Sequence, residues 1–181
     1  MKAFVRIIGG THRGKKLLFP ELEGLRPTPD RVKETLFNWL MNDIRDARCL
    51  DAFAGSGALG LEAFSRGASK VTFIEHSAIA HAHLKRLIHL FNSPKLQLIK
   101  ADARLYLSQH SEEFDLVFLD PPFAFNCLNE CLDNLFKNKS LVRGGLVYIE
   151  SPNSLEIDKN QWEEIHFKKA GQVFFGLFKK L

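Results

Sequence analysis

From Ala47 onward the chain alternates between short apolar runs and longer segments with helical periodicity. That alternation restricts the fold more than any other feature. Residues 49–53, 70–75, 96–100, 114–120 and 146–150 have strand length and are rich in β-branched or aromatic side chains. Helices are expected over 58–66, closed by Gly67, from the cap Ser77 to about Phe91, after Asp102, and over 126–136. Arg143-Gly144-Gly145 reads as a turn into the last of these strands, and 164–168 with 173–179 as a hairpin around Gly171. Strands separated by helices pair in parallel, with both sheet faces covered. Right-handed crossovers then give a doubly wound α/β sheet, with the closing hairpin as an antiparallel pair at one edge.

Ahead of this series, residues 4–8 and 15–19 read as strands of a hairpin turned at Gly9-Gly10, and 21–26 as a linker. Thr28-Pro29-Asp30 predicts a helix start, with Thr28 at the N-cap and Pro29 in the first helical position. Val32, Leu36, Phe37, Leu40 and Ile44 form its apolar stripe. The expected division is a basic hairpin and helix extension over 1–46 and a Rossmann-like domain over 47–181. Net charge is +4, yet residues 1–33 hold eight basic and three acidic side chains, which leaves the rest at −1. A basic segment on a near-neutral body points to a polyanion, against the plainer reading of a solvated lysine-rich surface.

No apolar stretch approaches the length of a membrane span, and the start lacks a secretory signal pattern, so the expected location is cytoplasmic. Three cysteines, Cys49, Cys127 and Cys131, suit a reducing compartment without a disulfide framework. Cys127 and Cys131 are one helical turn apart but lack further ligands nearby, so they read as buried helix cysteines and no metal site is expected. His81, His83 and His89 read as a solvated helix surface.

Asp120-Pro121-Pro122-Phe123 ends the run 114–119. Two prolines offer no N–H to a sheet ladder, so the strand stops and leaves Asp120 at its carboxyl end. In open α/β sheets ligands bind at that edge. An acid, a rigid turn bearing a carbonyl and an aromatic ring are what is needed to hold a planar amine. Asp120 can accept one amine hydrogen and the Pro121 carbonyl the other, which draws the nitrogen lone pair out of conjugation and aims it; this is positioning catalysis. Phe123 offers a stacking face. The alternative is a turn at the edge of the core with Phe123 buried.

Asp51-Ala52-Phe53-Ala54-Gly55-Ser56-Gly57-Ala58-Leu59-Gly60 is a strand-to-helix loop that satisfies the G-x-G-x-x-G pattern, so a nicotinamide dinucleotide must be weighed. Three acids argue otherwise. Asp51, Glu75 and Asp102 follow successive strands and, in a parallel sheet, share one edge with Asp120. They suit an ammonium, a ribose diol and an adenine amine, the groups of S-adenosylmethionine; a pyrophosphate would be repelled. Taken singly, each acid reads as a cap at its junction.

Together these residues resemble class I S-adenosylmethionine-dependent methyltransferases of the amino-methylating type. The N-terminal stretch narrows the resemblance. Arg6-Ile7-Ile8-Gly9-Gly10-Thr11-His12-Arg13-Gly14, the run from Leu25-Arg26-Pro27-Thr28-Pro29-Asp30-Arg31 to Leu40, and the loop from Leu50 to Ala63 are similar to the bacterial RsmD family over nearly the whole chain. The resemblance implies a Rossmann-like sheet with a small N-terminal β-hairpin and helix extension. It implies transfer of a methyl group to the exocyclic N2 of one guanine in 16S rRNA, within an assembled or nearly assembled 30S subunit. A monomer is the expected state. The resemblance assigns Asp51, Phe53, Gly55, Ser56 and Gly57, with Glu75, Asp102 and Ala103, to the cofactor. It assigns Asp120, Pro121, Pro122 and Phe123 to the reacting base. Arg6, Arg13, Lys15 and Lys16 fall to RNA, while Arg26, Thr28 and Arg31 are candidates for cofactor or RNA. Two other readings remain open at this point. A DNA adenine-N6 methyltransferase shares Asp-Pro-Pro-aromatic but usually carries a separate recognition region, for which this chain has little room. A non-catalytic RNA-binding protein would not need Asp120.

Overall fold

The computed structural model describes residues 3–19, 28–122, 126–154 and 156–181. The expected linker 21–26, Arg26 and Phe123 lie outside them. Two short strands, β1 (Ala3–Arg6) and β2 (Lys16–Phe19), pair antiparallel and are followed by helix α1 (Asp30–Trp39). Then come β3 (Arg48–Asp51), α2 (Ala58–Ser65), β4 (Lys70–Ile74), α3 (Ala78–His89), β5 (Leu96–Ile99) and α4 (Ala103–Gln109). The chain continues through β6 (Phe114–Leu119), α5 (Leu128–Lys137), β7 (Leu141–Ser151), β8 (Trp162–Ala170) and β9 (Val173–Lys180).

Seven strands form one sheet in the order β5-β4-β3-β6-β7-β9-β8. The first five are parallel, and β9 enters antiparallel between β7 and β8. This is a doubly wound, Rossmann-like α/β sheet closed by an antiparallel pair at one edge. Alternation along each buried strand feeds two cores. On β3, Cys49 packs on one face with α1, α2 and α3, while Leu50 packs on the other with α4 and α5.

The hairpin is built into the first core. Val5, Ile7 and Leu17 point inward and pack with Leu36, Phe37 and Leu61. Backbone bonds seal the contact: Thr11 N–H donates to the Ser65 carbonyl at 2.8 Å and Ile8 N–H to Glu62 Oε2 at 2.9 Å. Gly10 has φ +74°, and a Cβ there would collide with the Ser65 carbonyl, so this approach admits only glycine.

Four local expectations are corrected. Thr28 does not cap α1; Pro29 (φ −58°, ψ 145°) holds the N-cap position, and its carbonyl accepts from Val32 and Lys33 N–H. A helix that starts one residue late frees the Thr28 hydroxyl for a different partner. Gly144-Gly145 is not a turn ahead of a strand. It lies inside β7, in a bulge where four residues oppose one between the pairs Phe114↔Leu141 and Leu116↔Leu146. His83 is not simply solvated: its Nε2 lies 2.7 Å from the Leu18 carbonyl and its ring meets Phe19 edge-on, pinning β2 to α3. The first strand ends at Arg6, earlier than expected, because Ile7 N–H instead closes the loop onto the Lys15 carbonyl at 3.0 Å.

The expected caps at Ser77 and Asp102 are present, each accepting a first-turn N–H. All three cysteines are buried and free. No helix among the described residues is long and apolar enough to cross a membrane.

Candidate active site

From β3 the chain winds outward through β4 and β5, then crosses back to β6 on the opposite side of β3. Such a reversal opens a crevice at the carboxyl ends of the strands. Asp51 is the last residue of β3, Asp120 follows β6, and Glu150 stands next to the end of β7. Parallel pairing of Leu119 with Ile149 sets Asp120 and Glu150 side by side, and pairing of Asp51 with Phe118 sets Asp51 two residues before them on the same sheet face. Glu75 and Asp102 follow β4 and β5 along the same edge.

The acids are tied to the backbone in different ways. Asp51 Oδ2 accepts from Gly60 N–H at 2.9 Å, at the third residue of α2, and so anchors the loop that precedes the helix. That loop turns through Gly55 (φ 50°) and Gly57 (φ 74°), both in the left-handed region that favours glycine. Glu75 shapes the same loop: Oε2 accepts from Gly55 N–H at 2.8 Å and Oε1 from Ser77 N–H at 2.7 Å. Asp102 Oδ1 accepts from Arg104 N–H at 2.9 Å and from its Nε at 3.1 Å, and Oδ2 from Nη2 at 2.7 Å. Each acid therefore does serve as a structural tie. Single-donor oxygens keep a second lone pair for a ligand, which Asp51 and Glu75 retain more fully than Asp102. Ser56 and Ala103 are buried and Phe53 is half-buried.

Burial pushes the Asp51 carboxyl up to about 7; Gly60 N–H opposes the shift and the Glu75 charge adds to it. Enclosure raises Asp120 well above the ordinary carboxylate range, and the charges of Glu150 and Asp51 raise it further. Glu150, 6% exposed, is also raised by burial, against the Tyr148 hydroxyl, which donates to Oε1 at 2.8 Å. Thr28 Oγ1 lies 3.5 Å from Asp120 Oδ2 and donates to it. Pro121 is buried beside the acid and Pro122 is exposed. Sequence reasoning missed Glu150 and Tyr148. Their signal was the acid at the end of the strand over 146–150, which becomes informative only once β7 is known to lie beside β6.

This donor set fits S-adenosylmethionine. Burial among other acids raises both Asp51 and Asp120, a strain that a cationic ligand relieves, and the loop from Asp51 to Gly60 has no basic side chain to meet a phosphate.

The basic candidates lie on the hairpin side. Arg6, Arg13, Lys16 and Arg31 are exposed. Lys15 is half-buried, its Nζ 4.4 Å from the centre of the Phe91 ring. Lys33 is buried; its Nζ donates to the Arg6 carbonyl at 2.5 Å and pairs with Asp30 at 3.1 Å. Arg6, Lys33 and Thr28 line one cleft of about 170 Å³ between hairpin and α1. No group of three or more candidate metal ligands occurs among the described residues.

The family model described as Conserved hypothetical protein 95 matches residues 5–179. Ribosomal RNA small subunit methyltransferase D of Escherichia coli is 43% identical over 178 residues, spanning 97% of this chain and 90% of that protein. The protein of the same name from Haemophilus influenzae is 43% identical over 182 residues, 98% of this chain and 94% of its own length. The solved structure of yhhF from Escherichia coli superimposes with a TM-score of 0.89 at 42% identity, covering 98% of each chain.

Proposed function

We propose, from the premise that the chain belongs to the Conserved hypothetical protein 95 family, the RsmD family, that it methylates the exocyclic N2 of a guanine in 16S rRNA carried by the 30S subunit. S-adenosylmethionine is its cofactor and supplies, when bound, an electrophilic methyl group. The observation that carries the reading is Asp120 at the sheet reversal, held by Thr28 and followed by the rigid Pro121-Pro122 turn.

Asp51 and Glu75 are assigned to the cofactor through their remaining lone pairs, with Gly55, Ser56 and Gly57 as the loop over it. Asp102 and Ala103 are assigned to its base, and Phe53 to the crevice wall. Asp120 accepts one hydrogen of the amine and the Pro121 carbonyl the other, so the lone pair is drawn out of conjugation with the ring and is oriented for attack. Phe123 is assigned to stacking the extruded base, which must leave its stack to reach this edge. Residues 1–46 act as the RNA-facing extension of the catalytic domain 47–181. Arg6, Arg13, Lys16 and Arg31 meet phosphates, and Lys15 stands behind them against Phe91. Arg26 is retained as a candidate for either ligand.

The test is incubation of the purified protein with S-adenosylmethionine and unmodified 30S subunits, followed by nucleoside mass spectrometry. N2-methylguanosine at one site, absent with Asp120→Ala, is expected. N6-methyladenine on DNA assayed in parallel, with no product on 30S, would keep the chemistry and overturn the substrate.

A further inference from the structure

We infer that Glu150 is a positioning residue that acts through Asp120: its carboxylate, held by the Tyr148 hydroxyl, makes the amine-facing acid a stronger proton acceptor. The inference rests on the function proposed above, in which Asp120 faces an amine that must lose a proton.

The geometry starts from the sheet. Leu119 pairs with Ile149, so Asp120 and Glu150 leave neighbouring parallel strands side by side. Glu150 is almost wholly withdrawn from solvent, and Asp120 is half-buried beside it. Tyr148, two residues back on the same strand and fully buried, donates to Glu150 Oε1 at 2.8 Å. Thr28, from the segment ahead of α1, donates to Asp120 Oδ2. The charged or titratable groups facing the pair among the described residues are Asp51 from β3 and Tyr148 from β7. β9 brings only the uncharged Phe175 opposite Glu150.

Two adjacent carboxyls do not both ionise readily; the pair titrates as a unit, and the better hydrogen-bonded member, Glu150 with its 2.8 Å bond against the 3.5 Å bond at Asp120, ionises first. The phenol favours Glu150 as that member, since it donates to the charged form. A charge there holds the proton on Asp120 to higher pH, and gives ionised Asp120 more appetite for one when the site delivers it. The proton step balances within the chain. A methylated amine nitrogen carries positive charge; the electrons of one N–H bond return to nitrogen, and the proton goes to an Asp120 oxygen. Glu150 touches neither substrate nor cofactor in this step. Its effect is on the affinity of Asp120 for that proton.

The first test needs neither ligand. Acids whose folded pKa lies above the unfolded one bind more protons when folded, so the ligand-free protein should lose thermal stability as pH rises from about 5 to 8. Glu150→Gln should flatten that slope and melt higher than wild type at pH 8. Tyr148→Phe, which removes a bond favouring ionised Glu150, should steepen it. This second variant keeps the proposal testable if the first folds poorly. In single-turnover methyl transfer on 30S subunits, Glu150→Gln should move the acid limb of the rate profile to lower pH. It should slow the neutral-pH step about threefold to tenfold, with unchanged S-adenosylmethionine affinity. An unaltered melting slope in both variants would remove the pair. A flattened slope with an unmoved acid limb would leave the pair without a catalytic role. Absence of transfer to 30S by wild type would instead overturn the proposed function, while the melts still decide the pair.

Discussion

Glu62 and Asp51 are both buried carboxylates, one on α2 and the other at the end of the strand before it, and they are put to opposite uses. Glu62 is fully enclosed and saturated from within the chain. Its Oε1 accepts from Arg66 Nε at 2.7 Å and its Oε2 from Ile8 N–H, so the acid fastens the hairpin to α2. Asp51 receives one backbone N–H and faces other acids, and its carboxyl is pushed up to about 7. An acid completed by a guanidinium contributes to the fold. An acid left among acids costs folding energy and is retained where a ligand brings the missing charge.

The largest effect expected from this contrast lies at Asp120. Asp120→Ala should reduce methyl transfer by a factor on the order of a thousand or more while S-adenosylmethionine still binds, because one variant removes both an orienting acceptor and a proton acceptor. Retained activity, measured by single turnover, would end the assigned role. Next comes the direct exchange of the two buried acids. Glu62→Gln leaves Arg66 without its partner and should cost about 3 kcal/mol, a melting temperature lower by roughly 6–10 °C. Asp51→Asn should do the reverse: stability at pH 8 equal to or above wild type, and cofactor affinity reduced at least tenfold, read by calorimetry. Matching losses in both variants would erase the distinction.

Much of this was legible before any coordinates, and what was not has a common cause. Ser77, Asp102 and the stop at Asp120 follow from short-range chemistry: a hydroxyl or carboxylate meets an N–H two or three residues on, and proline cannot extend a ladder. The stripe Val32 to Ile44 was readable from period alone and is buried throughout. Thr28 misled because a threonine before Pro-Asp has two uses for its hydroxyl, and a carboxylate ninety-two positions away competes with the helix end. Glu150 was hidden because its neighbour is set by which strands adjoin, a property of crossovers. His83 likewise reads as polar surface until β2 lies across it.

A smaller effect should separate the hairpin from the crevice. Arg13→Glu with Lys15→Glu should weaken 30S or rRNA binding by roughly tenfold and reduce the salt dependence by about two phosphate contacts. Cofactor affinity should stay the same, since neither residue lies at the carboxyl ends of the strands. Lys15 also rests on Phe91, so a slight loss of stability is expected with it. An unchanged affinity for RNA would take this face of the hairpin out of the interface.

The smallest effect reads Asp51 directly through pH. Its folded value of about 7 stands above the ordinary 3.8, so the ligand-free protein binds the extra proton and loses stability as pH rises across that window. A cationic cofactor favours the ionised form and so should bind more weakly as pH falls through 7. Between pH 8 and 6 the dissociation constant should rise several-fold, up to about tenfold for one group. The thermal shift given by S-adenosylmethionine should shrink over the same range. In Asp51→Asn both dependences should flatten together, because one titration drives them. A cofactor shift that is constant from pH 6 to 8 in wild type would mean that Asp51 keeps its proton in the complex. It would then serve as the tie to Gly60 that the geometry already shows, and the cationic end of the ligand would belong to Glu75 and Asp120.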